Sequence, residues 1–310
     1  MNIVLLETDS LGAGVDLSAF HTLGTVTAYP LSTTEETISR VADADVVVVN
    51  KIPMNEQTLS KATHLKAICL TATGMNNIDF DYANKRGIVV RNVKGYSTNS
   101  VIQHTFAMLF YLYEHLPEYD AYVSSGEYCK SRTFCHLEPA FHELAGKTFG
   151  IIGLGEIGRG VARIASAFGC NVIYYSTTGA NHNPDYLRVD LDTLLAKSDI
   201  ISIHAPLSPK TEHLMNRNTL SKMKPSAYLL NLGRGPIIDE EALCEALLNG
   251  QLAGAGLDVL EEEPMREDSV LRNPLLKNRL FITPHIGWAP LEARQRCIDE
   301  TIKNIKSVLT

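Results

Sequence analysis

Residues Thr148 to Gly158 read TFGIIGLGEIG, and this stretch decides the fold. Phe149–Ile152 reads as a short buried strand. Gly153, Gly155 and Gly158 then spell G-x-G-x-x-G, and Ile157–Phe168 reads as a helix with an apolar stripe. Strand, glycine turn and helix in that order are the context a dinucleotide fingerprint requires. The first glycine permits a tight turn. The second lets the backbone approach a pyrophosphate, and the third lets helix and strand pack closely. Phosphates would sit at the helix N-terminus, where unpaired N–H groups and the helix dipole favour anions. The bland alternative is an ordinary tight turn in an α/β protein.

Composition narrows the rest. The chain has 310 residues, 45% hydrophobic and 20% charged, which is room for two domains. Twenty-eight Lys and Arg against 35 Asp and Glu give a net charge of −7, with no basic block. That argues against a surface that tracks nucleic-acid phosphates. No run approaches the ~18 apolar residues of a membrane span. The start, MNIVLLETDS, lacks the basic region and cleavage pattern of a secretion signal and reads as a first strand. Cys69, Cys129, Cys135, Cys170, Cys244 and Cys297 are scattered, with no C-x-x-C. They read as reduced thiols of a cytoplasmic protein, and no metal site is expected.

Outward from the fingerprint, both flanks alternate strands and helices. Before it, Ile3–Leu6, Val26–Tyr29, Val46–Val49, Ala67–Leu70 and Ile88–Val90 are strand-like runs. Polar amphipathic stretches at Thr33–Ala42, Asn55–Ala62 and Asp79–Arg86 separate them, as in a parallel α/β unit with right-handed crossovers. Two loops follow strands there, Asn50–Pro53 and Thr71–Asn77. The second is small and glycine-containing, so it suits either a carboxylate or a plain turn with Asn77 as cap. Ser97–Leu116 reads as one long helix with Pro117 as its stop, and 117–146 as an irregular, aromatic-rich segment. That segment is read as a partner-subunit surface, the alternative being a loop packed on its own domain. After the fingerprint, strands are expected at Asn171–Tyr175, Ile200–Ile203, Ala227–Asn231, Leu252–Val259 and Leu280–Thr283. Helices are expected at Leu191–Lys197, Asn216–Met223, Asp239–Asn249 and from Pro290 to Val308.

Three residues behind these strands carry chemistry: Arg234, Glu263 and His285. Arg234 lies between Gly233 and Gly235, on what reads as flexible backbone, and can give a carboxylate two parallel N–H bonds. A histidine can exchange a proton near neutral pH. A nearby carboxylate would orient its ring and raise its pKa. The set suits hydride transfer to a 2-oxo acid: Arg234 binds the carboxylate and His285 protonates the carbonyl oxygen. Each also has a structural reading, as a surface ion pair, a solvated acidic loop at 261–263, and a satisfied histidine.

The motifs resemble the D-isomer-specific 2-hydroxyacid dehydrogenases over nearly the whole chain. GIIGLGEIGRGVAR looks like that family's cofactor fingerprint, and LLNLGRGPIIDEEAL like its substrate-arginine motif. GAGLDVLEEEP looks like its histidine-partner motif, and TPHIGW like its acid/base motif. The resemblance implies an α/β fold of two Rossmann-like domains. One is a doubly wound parallel sheet for the cofactor at 99–285; the other is a flavodoxin-like substrate domain at 1–98 plus 286–310. A hinge between them and closure over the substrate are expected. Arg234 is implied for substrate, His285 as proton donor and Glu263 as its partner. ATGMNNID, VKGYSTNSVIQHTFAML, Phe134-Cys135 and PHIGWAPLEARQR look like glycerate dehydrogenases, or hydroxypyruvate reductases. That implies reduction of hydroxypyruvate to D-glycerate, with glyoxylate or another small 2-oxo acid as the alternative.

By the same resemblance Ala72, Thr73 and Gly74 contact substrate through their backbone, Asn50 or Lys51 lines the mouth, and Trp288 walls the pocket or is a core aromatic. Cofactor contacts are implied for Thr73, Gly153, Gly155, Glu156, Ile157, Gly158, Ser176, Thr177, His204, Ala205, Pro206 and Thr211. They are implied equally for Leu232, Gly233, Arg234, Asp258, His285 and Gly287. A homodimer through residues 99–145 is also implied. A non-enzymatic NAD(H) sensor is the competing class, but the partner-binding extensions such proteins carry are not evident. One position departs from the family. Ser176 stands where an Asp usually binds the ribose 2′-OH, which removes repulsion against a 2′-phosphate. No Arg or Lys follows within the turn, so either NAD(H) or NADP(H) is expected, with NADPH accepted at least comparably.

Overall fold

A computed structural model describes residues 1–309. The chain forms two compact units, Met1–Ser97 with Trp288–Thr310, and Thr98–Gly287. In chain order the first unit holds β1 (Asn2–Leu5), β2 (Thr25–Ala28), α1 (Thr34–Arg40), β3 (Val46–Val49), β4 (Ala67–Leu70), α2 (Phe80–Lys85) and β5 (Val89–Arg91). The second holds α3 (Thr98–Tyr113), α4 (Leu116–Ser124), β6 (Thr148–Ile152), α5 (Glu156–Ala167), β7 (Asn171–Tyr175) and β8 (Leu187–Arg188). It continues with α6 (Leu191–Lys197), β9 (Ile200–Ile203), α7 (Arg217–Leu220), β10 (Tyr228–Asn231), α8 (Glu240–Leu248), β11 (Gly254–Leu257) and β12 (Leu280–Ile282). The terminal helix α9 (Leu291–Leu309) returns to the first unit.

The first sheet runs β2-β1-β3-β4-β5, all parallel, the flavodoxin-like order. Val46 to Val49 are all buried, because a central parallel strand is covered on both faces. Val47 and Val49 join one core with Ile68 and Leu70; Val46 and Val48 join another with Ile298, Ile302 and Ile305 of α9. The second sheet runs β12-β11-β10-β9-β6-β7-β8, again all parallel. Its strand order reverses between β6 and β9. Phe149, Ile151 and Leu230 face α3 and α5, while Ile152, Ile203 and Leu229 face the layer of α6, α7 and α8.

Four local readings change. Asn55–Ala62 is a string of turns, tied by Thr58 and Asn55 hydrogen-bonding each other's backbone amides at 3.0 and 3.1 Å. Asp79, not Asn77, caps α2, accepting from Tyr82 N at 2.9 Å. Asn77 instead donates its side-chain amide to Ile52 O at 2.8 Å, which ties the two strand-end loops together. The long helix breaks at His115, whose backbone is left-handed with φ +53°. Pro117 then lies in the first turn of α4, where a missing N–H costs nothing, and stops no helix. Part of 117–146 is therefore helical. Nothing on α4 is buried, so it carries no apolar period to be read.

Candidate active site

Because every strand of the second sheet is parallel, all the carboxyl ends share one edge. Along it in space come Ser176 after β7, the glycine turn after β6, and His204 and Ala205 after β9. Arg234 after β10, Asp258 and Glu263 after β11, and His285 after β12 complete the row. Open α/β sheets bind ligands outside this edge, at the point where strand order reverses.

The glycine turn is shaped for a pyrophosphate. Gly153 has φ +92°, and a Cβ there would lie 2.8 Å from Ala205 N; a Cβ on Gly158 would run into Gly153 O. Nothing lies within 4 Å of a Cβ built on Gly155, which caps α5 without any side chain over it. Packing fixes the first and third glycines, and the second leaves room above the helix N-terminus. Glu156 of the first turn accepts from Thr98 Oγ1 at 3.1 Å, and Ile157 packs into the core under the helix.

The flanking strand ends differ in how far their polar atoms are engaged. Ser176 is buried and its Oγ accepts from Asn181 N at 3.3 Å, while Asn181 Nδ2 donates to Leu154 O at 2.6 Å inside the fingerprint. Thr177 is partly exposed beside it. The turn after β7 does have a cation: pairing of β8 on β7 brings in Arg188, whose Nη1 donates to Gly179 O at 2.9 Å. Two exposed residues make β8, which gives no apolar signal in the sequence. His204 Nε2 lies 2.8 Å from Ser202 Oγ. Its Nδ1 is buried and has no hydrogen-bond partner among the described residues. Burial pushes this imidazole down to about 3, so it is neutral. Thr211 is a loop staple, donating to Pro206 O and accepting from Ser208 N, each at 2.8 Å.

Arg234 stands on packed backbone, not flexible backbone. A Cβ on Gly233 would lie 2.9 Å from Ala205 O, and one on Gly235 would run into the chain at Leu260–Glu261. Both glycines serve close approach. Asn231 pins the turn by accepting from Gly233 N at 3.0 Å and donating to Arg234 O at 2.9 Å; neighbouring Leu232 is buried. Glu263 Oε1 accepts from Leu260 N at 3.0 Å, and its Oε2 lies 2.7 Å from His285 Nδ1. The ring is held from its Nδ1 side, which leaves Nε2 for chemistry. Asp258 is buried, and burial alone would raise its pKa. Hydrogen bonds from His104, Thr283 and the amides of Gly287 and Ile286 outweigh that and hold it below the ordinary carboxylate value.

In the first unit, Glu7 Oε2 accepts from the amides of Asn50, Lys51 and Ile52 at 2.8, 2.9 and 3.2 Å. That shapes the loop on which the exposed Lys51 stands. Nothing in the sequence pattern singles out Glu7, whose partners are more than forty residues away. Ala72 O accepts from Val93 N at 3.0 Å, Thr73 Oγ1 donates to Val93 O at 2.8 Å, and Asn92 Nδ2 donates to Thr73 O at 2.6 Å. Gly74 follows in the same loop. Trp288 packs on Val93, Tyr96, Ala293 and Cys297, edge-on to Tyr96 at 6.5 Å.

Likeness to known proteins adds the family. Residues 106–287 match the NAD-binding domain of D-isomer specific 2-hydroxyacid dehydrogenases. The chain belongs to that family. It is 38% identical to a hydroxypyruvate reductase of Blautia hydrogenotrophica over 100% of this chain and 97% of that one. It is 37% identical to a glycerate dehydrogenase of Methylorubrum extorquens over 89% of this chain and 86% of the other. Among solved structures, an acyclic imino acid reductase in complex with NADPH and D-Arg superposes with a TM-score of 0.84 at 31% identity, covering 100% and 97% of the two chains. The protein is thus an α/β oxidoreductase of the 2-hydroxyacid dehydrogenase family that uses a nicotinamide cofactor. Among the described residues no helix is long and apolar enough to cross a membrane.

Proposed function

We propose that the protein reduces hydroxypyruvate to D-glycerate, with His285 as proton donor, Glu263 as its partner and Arg234 as the carboxylate anchor. The 2.7 Å contact between His285 Nδ1 and Glu263 Oε2 is the observation that carries this reading. The two relatives named for hydroxypyruvate and glycerate support the substrate.

The chemistry the bound dihydronicotinamide supplies is a hydride for the carbonyl carbon. Gly153, Gly155, Glu156, Ile157 and Gly158 would hold its pyrophosphate. Ser176 and Thr177 would meet the ribose. The strand ends at His204–Pro206, Leu232–Arg234 and Asp258, with Gly287, would line the rest. Arg234 pairs its planar guanidinium with the substrate carboxylate and so turns the carbonyl toward His285. His285 gives its Nε2 proton to the oxygen as negative charge develops there. Glu263 keeps the ring in the tautomer and orientation for that transfer, and stabilises the imidazolium before the proton leaves. Hydroxypyruvate, NAD(P)H and one proton thus give D-glycerate and NAD(P)⁺. The backbone of Ala72, Thr73 and Gly74, with Lys51 and Trp288, is assigned to the substrate side.

Two further assignments belong to this reading. Ser176 with Arg188 supports acceptance of NADPH at least comparably with NADH. The exposed apolar residues between 116 and 141 support a homodimer through 99–145.

The test is a panel of 2-oxo acids assayed by NADH and NADPH oxidation, run on the wild type and on His285→Ala. Loss of a general acid is expected to cost about 10²- to 10⁴-fold in kcat. Hydroxypyruvate should head the panel. Unchanged activity in His285→Ala rejects the proton donor, and a glyoxylate preference rejects the substrate.

A further inference from the structure

His104, on α3, has no part in the chemistry above. Its Nε2 lies 3.0 Å from Thr283 Oγ1 and 3.4 Å from Asp258 Oδ1. Thr283 in turn donates its hydroxyl hydrogen to Asp258 Oδ1 at 2.7 Å. A threonine has one hydroxyl hydrogen, so with that hydrogen on Asp258 its oxygen must accept from His104 Nε2–H. The relay therefore runs one way, from His104 to Thr283 to Asp258.

Asp258 passes the restraint on. Oδ1 accepts from Ile286 N and Oδ2 from Gly287 N, both at 2.8 Å. Those two amides directly follow His285, and that segment needs holding. His285 has φ +54°, in the left-handed region that residues with side chains rarely occupy. Such backbone persists only where its surroundings over-determine it. From the other side, His285 N donates to Thr283 O at 2.9 Å around Pro284. Space is closed as well: a Cβ on Gly287 would lie 2.8 Å from Asp258 Oδ2 and 3.5 Å from His104 Cδ2.

We propose that His104 is a positioning residue for the reduction: through Thr283 and Asp258 it sets the backbone of 285–287 and with it the aim of the His285 imidazole. The proposal rests on His285 being the proton donor. Without His104, the Thr283 hydroxyl loses the donor that orients it toward Asp258, and the hold on the carboxylate oxygen that binds Ile286 loosens. His285 then relaxes from its left-handed backbone, and the imidazole leaves its line to the substrate. Glu263 holds the His285 ring through Nδ1, which does not fix the backbone at 285–287.

The test compares His104→Leu, His104→Gln and Thr283→Val with the wild type and His285→Ala. Glutamine carries an N–H donor as many bonds from Cβ as His104 Nε2 is; leucine carries none. Leucine should lower kcat by about 10- to 100-fold, the cost of a misplacement near 1 Å. Glutamine should return to within about threefold of wild type, at a Tm matching that of leucine. Thr283→Val, which cuts the relay at its middle, should repeat the leucine result. Wild-type kcat in His104→Leu beside an inactive His285→Ala overturns the proposal, as does His104→Gln being as slow as His104→Leu. An active His285→Ala instead removes the proton-donor assignment beneath it.

Discussion

His204 and His285 end strands of one sheet, and their surroundings give the same side chain opposite tasks. His285 is gripped by a carboxylate and left partly open. His204 is enclosed, with one nitrogen on Ser202 and the other unmatched among the described residues. Its folded pKa of about 3 lies below the ~6.5 of an unfolded histidine. Between those values the unfolded chain binds a proton that the folded chain refuses, so stability rises with pH. The contribution is full above about pH 6.5 and is lost as pH falls toward 3, at up to about 1.4 kcal/mol per pH unit. His204→Gln keeps a hydrogen-bonding amide for Ser202 and does not titrate. Thermal unfolding from pH 7 to 4.5 should therefore show a smaller fall in Tm for the variant than for the wild type. Parallel curves would mean that His204 is protonated in the folded protein.

At the scale of elements, what could be read from sequence was what the core demands. Val46–Val49, Ala67–Leu70 and Ile200–Ile203 are buried on both faces; the first two appear as unbroken apolar runs, and the third is interrupted only by Ser202. The glycine turn and the polar residues behind the strands were legible for the same reason, because a strand end fixes where the next residue must stand. Elements that bury nothing were not legible: β8, with both residues exposed, and α4, with none buried. Nor was the relay from His104 to Asp258, which joins positions 154 residues apart in the chain and depends on packing alone. Missing β8 has a consequence for the cofactor. A turn judged to lack a cation has Arg188 against Gly179 O. An Arg over that turn can give a 2′-phosphate a charge-assisted pair, while the buried Ser176 repels nothing. NADPH should match or exceed NADH in kcat/KM, and Arg188→Ala should shift the ratio toward NADH by roughly tenfold, the equivalent of about 1.4 kcal/mol. A wild-type preference for NADH above about a hundredfold, or about 2.7 kcal/mol, would exclude the assignment.

At the scale of the whole molecule, Leu116, Val123, Tyr128, Phe134, Leu137 and Phe141 of the second unit are large apolar residues left exposed. The segment from 116 to 141 is partly packed on itself. Tyr122 stacks on His136 at 3.8 Å, Tyr119 meets Phe141 edge-on at 6.0 Å, and Tyr128 donates its hydroxyl to Phe134 O at 2.7 Å. These contacts hold a shape without hiding it. Phe134 remains 90% exposed, Leu137 73% and Val123 56%. A self-supporting apolar surface of this kind suits a protein contact, because monomers seldom leave several large apolar side chains together in water. A second copy of the chain is the proposed occupant. Such an interface rests on a few aromatic anchors, so one charged substitution should weaken it strongly. Sedimentation at micromolar concentration should give a dimer for the wild type. Phe134→Asp should raise the dimer Kd by roughly thirtyfold or more, about 2 kcal/mol, with Tm held near that of the wild type at matched protomer concentration. A wild-type monomer under these conditions would assign the surface to another partner and remove residues 99–145 from any self-contact.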